Sequence, residues 1–166
     1  MSDASSAVTP ESSDPKEVAI QSPLTLIMKI KSEADYEQLH TMLKGIQAMP
    51  PAQNPIWKAL EQLNKVHFAR FVFLDKTRLA VITTYDGKFE DYIADFTRVI
   101  GPVIDQLLKH MEDAPKEKVQ DDPKAFLKYV FDNDLRGMPP FYSAFPNATV
   151  SDIKAALEEK KQREEG

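Results

Sequence analysis

Side chains able to do chemistry gather in one short stretch of this sequence: His67, Arg70, Tyr85 and Asp86. An imidazole titrates near neutrality, so it can pass protons, and it coordinates metals or haem readily. A guanidinium grips a carboxylate through two parallel hydrogen bonds. A phenol and a carboxylate nearby could polarise or deprotonate a substrate. All four lie between Val66 and Gly87, in Val-His-Phe-Ala-Arg-Phe-Val-Phe-Leu, then Asp-Lys-Thr, then Arg-Leu-Ala-Val-Ile-Thr-Thr-Tyr-Asp-Gly.

Two β-branched and aromatic runs joined by a short polar connection read as a β-hairpin. Alternation puts His67, Ala69, Phe71 and Phe73 on one face of its first strand and Phe68, Arg70 and Val72 on the other. His67 and Arg70 therefore do not meet unless a bulge intervenes. A turn centred on Lys76 sets His67 opposite Tyr85 and Arg70 opposite Ile82. The candidate ligand-binding set is then His67, Phe71, Tyr85 and Arg70, around a mostly apolar pocket with few polar groups.

Each of these residues also has a purely structural reading. His67 could be a sheet histidine bonded to Tyr85 or to a carboxylate. Arg70 could belong to an ion pair, or to an edge strand where its head reaches water. Asp86, before Gly87, has the position of a cap for the helix that follows. Trp57, the lone tryptophan, reads as a core anchor rather than a stacking platform.

Composition narrows the chemistry further. The chain of 166 residues has no cysteine, which excludes disulfides, thiolate nucleophiles and cysteine-held metal clusters. His40 and His110 stand alone on separate predicted helices, so no metal site is expected. Ser143 lacks a Gly-x-Ser-x-Gly context, and with only 5 glycines there is no phosphate-cradling loop. A net charge of −5 without a basic stripe argues against nucleic acid as a partner. No apolar run has the length of a membrane span, and Met-Ser-Asp-Ala-Ser-Ser does not resemble a secretory signal, so a cytoplasmic location is the default.

The elements that must position the hairpin follow in order. Residues 1–22 have almost no large apolar side chains and read as a disordered tail, leaving 23–166 as a single domain. Leu24, Leu26, Met28 and Ile30 alternate as the core face of a first strand. Ser32 and Asp35 open a helix that ends near Met49, and Pro55 starts a second, shorter one. After the hairpin, Phe89, Ile93, Phe96, Ile100, Val103, Leu107 and Met111 form a long helical stripe that Pro102 should kink. A charged connection runs from Asp113 to Asp122. Pro123 starts another helix, and Phe141–Phe145 is the candidate last strand. Thr149 and Asp152 cap a final helix with a charged, fraying end.

Strand, helix, strand, strand, helix, strand is the order of the split βαβ, ferredoxin-like α+β fold: an antiparallel sheet with helices on one face, here with extra helices and the N-terminal tail. The run from Val66 to Phe71 and the run Thr84-Tyr85-Asp86-Gly87-Lys88-Phe89-Glu90-Asp91-Tyr92-Ile93-Ala94-Asp95-Phe96 are similar to a segment of bacterial proteins. In fold the chain resembles the dimeric α+β barrel superfamily, which includes haem proteins such as dye-decolourising peroxidases and chlorite dismutases, and small cofactor-independent monooxygenases. The resemblance spans about Leu24 to Met111 and extends to Phe141–Phe145. Of the peroxidases' Gly-x-x-Asp-Gly motif only Asp86 and Gly87 correspond, since Thr83 stands where the first glycine would be.

The resemblance implies a homodimer and a concave sheet face that encloses a small apolar ligand. The leading expectation is therefore a small-ligand-binding or accessory protein with no cofactor. The alternatives are an oxidoreductase, either haem-dependent and peroxidase-like with His67 as the haem ligand or a cofactor-independent monooxygenase, and a structural or interaction protein.

Overall fold

The computed structural model describes residues 20–136 and 142–166. The elements are β1 (Gln21–Lys29), α1 (Glu33–Gln47), α2 (Pro55–Leu63), β2 (Val66–Asp75), β3 (Arg78–Asp86), α3 (Phe89–Leu108), α4 (Pro123–Asn133) and α5 (Val150–Glu165). Gln21 and Ser22 already belong to β1, so the sheet begins inside the stretch read as tail; residues 1–19 of that stretch lie outside the described residues.

The described sheet is antiparallel and three-stranded, in the order β1-β3-β2. β3 runs antiparallel to both neighbours, so β1 and β2 are parallel to each other with β3 between them. The hairpin turns at Lys76–Thr77, where the Asp75 carboxylate accepts the Thr77 backbone N–H at 2.7 Å and hydroxyl at 2.6 Å. Those bonds, with Arg78, hold the Asp75 carboxyl well below the usual carboxylate range. Phe141 lies outside the described residues, and Tyr142–Phe145 forms no strand. Instead, the outer edge of β1 meets the end of α4: Leu135 N–H donates to Thr25 O at 2.8 Å, and Thr25 N–H donates to Asp134 Oδ1 at 3.1 Å.

Alternation sorts the sheet into a covered face and an open one. Leu24, Leu26 and Met28 of β1 and Leu79, Val81 and Tyr85 of β3 are buried against Tyr92, Ile93, Ile100, Ile104 and Leu107 of α3. Leu39 of α1 is fully buried in the same core. The other face carries Thr25 and Ile27, Ile82 and Thr84, and Phe68, Arg70 and Val72; Phe68 is 78% exposed.

Helix ends follow local chemistry. Ser32 accepts the Asp35 N–H, Asn54 caps α2, and Thr149 and Asp152 form a reciprocal capping box on α5. α3 runs on through Pro102. A proline there cannot donate to the Arg98 carbonyl one turn back. Gln120 Nε2 approaches that carbonyl and that of Thr97, both at 3.5 Å. Gly101 makes room: a Cβ on it would lie 2.9 Å from Gln120 Nε2 and 3.0 Å from its Cγ.

Leu39→Ala should lower the unfolding free energy by about 3 kcal/mol, the usual cost of emptying a fully buried leucine site. Urea denaturation checks this, and a loss under about 1 kcal/mol would contradict a close-packed α1–sheet contact.

Candidate functional site

The polar residues of the hairpin separate into two places, one closed and one open. At the closed place, a register shift between Val66 and Phe68 takes His67 out of strict alternation. Tyr85 pairs with Val66 rather than His67, which corrects the simple register; Arg70 does lie opposite Ile82. The bulge carries the imidazole to the end of β3, where His67 Nε2 and Asp86 Oδ1 are 2.6 Å apart. Their side chains are only 7% and 10% exposed.

Asp86 also reaches a third segment. Its Oδ2 accepts the Val150 N–H at 2.8 Å in a buried bond at the first residue of α5. Asp86 was expected to cap the following helix, α3, but the N-cap of α3 is Lys88, which makes no side-chain cap. The carboxylate thus serves a different helix N-terminus, where its negative charge is equally well placed. Gln21 braces the same corner by donating to the carbonyls of Phe145 and Ala148, both at 2.8 Å, and accepting from Ser143 Oγ at 2.7 Å.

Tyr85 takes no part in that corner. Its ring stacks on Tyr92 with centroids 4.0 Å apart, inside the helix-side core. Burial raises the Tyr85 hydroxyl above its ordinary value and pushes Tyr92 up to about 12, so both stay neutral at physiological pH. The other histidines also have partners. His40 stacks on Tyr36 at 5.7 Å, and His110 Nδ1 is 2.9 Å from Asp35 Oδ1. Among the described residues no three His, Asp or Glu side chains gather as a metal-binding group.

The open place is a groove of about 520 Å³ between α1, α2 and the free side of β2. Leu43, Ile56, Leu60, Phe71 and Phe73 supply apolar wall, and His40, Lys44 and Arg70 line it with no acidic residue among its lining. Trp57, expected in the core, is 52% exposed and lines this groove. Its place on α2 follows from Asn54, whose carboxamide oxygen accepts the Ile56 and Trp57 N–H groups at 2.9 and 3.0 Å.

Of the four residues singled out as ligand-binding, the structure therefore brings two, Arg70 and Phe71, to the groove. His67 is fixed on Asp86, and Tyr85 is in the core. His40, Leu43 and Trp57 were missed as groove residues. The signal for them was the Pro50-Pro51 break, which ends α1 and lets α2, packed on α3, line the same groove. Between the helices and the sheet, the space bounded by Leu26, Tyr92, Phe96 and Phe126 is only about 30 Å³, a small void inside a filled core.

No protein-family model matches the sequence, and no curated protein or solved structure shows significant similarity to it.

Asp86→Ala should cost about 3 kcal/mol, since it leaves a buried imidazole and the Val150 N–H unpartnered together. Asp86→Asn keeps one acceptor oxygen and should cost less. Urea melts of both, with amide exchange at Val150, check this; unchanged exchange at Val150 in Asp86→Ala would deny that the carboxylate anchors α5.

Proposed function

We propose that this protein is a ligand-binding protein of the ferredoxin-like α+β class, and that its site is the groove between α1, α2 and β2. The observation that carries the reading is the groove's chemistry: an apolar, aromatic wall of about 520 Å³ edged by His40, Lys44 and Arg70, with no carboxylate lining it. Such a surface suits a small molecule with an apolar body and one anionic group. The wall supplies hydrophobic contact, and Lys44 and Arg70 favour the charge.

Two features support the fold class within this reading. β1 and β2 are parallel with β3 between them, the core of a split βαβ unit. The Asp134–Leu135 segment bonds the outer edge of β1, on the side where a fourth strand of that fold would lie.

Trp57 is the chain's only tryptophan and reports directly on the groove. Titration with dodecanoate, and separately with dodecanol as the uncharged counterpart, should shift its fluorescence, with the carboxylate binding more tightly. Arg70→Gln should weaken dodecanoate by about tenfold, the loss of one charge-assisted contact, and leave dodecanol unchanged. A Trp57 signal indifferent to both compounds would remove the groove as a binding site.

A further inference from the structure

The sheet treats its two edges differently. Along β1, Pro23 offers no N–H, Thr25 is bonded to Asp134 and Leu135, Lys29 O accepts the Glu112 N–H at 2.8 Å, and Lys31 N–H donates to His110 O at 3.0 Å. Along β2, no described residue beyond β3 bonds the backbone from Phe68 to Leu74. That stretch is Phe-Ala-Arg-Phe-Val-Phe-Leu, with Phe68 78% and Leu74 47% exposed. A long apolar edge left bare templates pairing with another strand, and proteins ordinarily cover or charge it.

We propose that two copies of this chain join through their β2 edges, antiparallel, with the two Phe71 residues meeting on the two-fold axis. The strand's own sequence selects that register. Centred on Phe71, the exposed Phe68 reaches the end of the second copy's strand, beside the exposed Leu74 at its register shift. Small Ala69 faces large Phe73, and Arg70 faces Val72. Centring on Arg70 would set two guanidinium groups directly opposite, a like-charge pair that destabilises a sheet. Centring on Val72 would put Phe68 against Lys76. The irregularities at Val66/Phe68 and Phe73/Asp75 leave Phe68 to Phe73 as the regular stretch for pairing, with Leu74 at its rim.

The result is a six-stranded sheet with every sheet-covering helix on one face. The groove beside β2 opens at this edge, so pairing brings two grooves onto one shared floor, with Phe71 of both copies at its centre. That last consequence rests on the binding reading above, whereas the strand pairing does not.

Val72 tests the pairing because its proposed neighbour is Arg70 of the second copy. Val72→Lys sets a like charge against Arg70 twice per dimer and should weaken association by about tenfold, while Val72→Glu creates two opposite-charge pairs and should tighten it. Sedimentation equilibrium of the full chain across a wide concentration range reads both, and Arg70→Glu combined with Val72→Lys should restore the dimer. Circular dichroism melts confirm that the variants fold. Monomers at every concentration, or a dimer that Val72→Lys and Val72→Glu change alike, would overturn the proposal. So would a monomer whose β2 edge pairs only with an added extended apolar peptide. Dodecanoate binding to the Val72→Lys monomer separates the two readings: it persists if the groove binds ligand without the pairing.

Discussion

One buried carboxylate holds together parts of the chain that the sheet alone would leave apart. Asp86 ends β3, and its two oxygens reach back to His67 at the start of β2 and forward to Val150 at the start of α5. The bulge at His67 exists in a form this carboxylate can use: a strictly alternating residue there would point elsewhere. α5 buries only Val150 and extends as a charged helix, so its attachment depends on that N-terminal corner, together with the Asn64–Ser151 and Lys154–Glu61 contacts. Loss of the carboxylate would strand a ring and an amide in the same dry space.

The same economy explains why the hairpin is a scaffold more than a catalytic strip. Burial fixes His67, stacking fixes Tyr85, and the turn fixes Asp75. What stays accessible is the free side of β2, where Phe71 and Phe73 face the two helices that connect β1 to β2 and Arg70 also lines the groove.

Much of this was legible in the residue pattern. Leu24, Leu26, Met28 and Ile30 alternate and are all buried, and Ile93, Ile100 and Leu107 hold the helical stripe at the core. The capping residues Ser32 and Thr149 act where their spacing put them. The misreading of Asp86 comes from partner choice across a long sequence separation, and the others from local geometry. Asp86 sits where local rules assign it to the next helix, but α5 is far away in sequence and wins the bond. Trp57 has the right spacing for an inward face, yet the nine-residue α2 packs on α3 with Ala59 and Leu63 buried and leaves Trp57 outside. Tyr92, nearly fully buried, stood outside the predicted apolar stripe, and its ring stacks on Tyr85. A one-residue bulge cannot be seen in an alternating run, and it decided where His67 went.

The charged segment between α3 and α4 looks like a dispensable connection, but it is threaded into the helix it follows. Val119 is fully buried, its N–H donates to Asp105 at 2.9 Å, and Gln120 approaches the carbonyl that Pro102 leaves free. Its two halves should therefore differ in evolutionary freedom. Residues 115–117 can lengthen, shorten or be cut by a protease without touching the core. Residues 118–121 act as a splint on a proline-weakened helix, and an inserted residue there would shift Val119 and Gln120 off their partners at the same time.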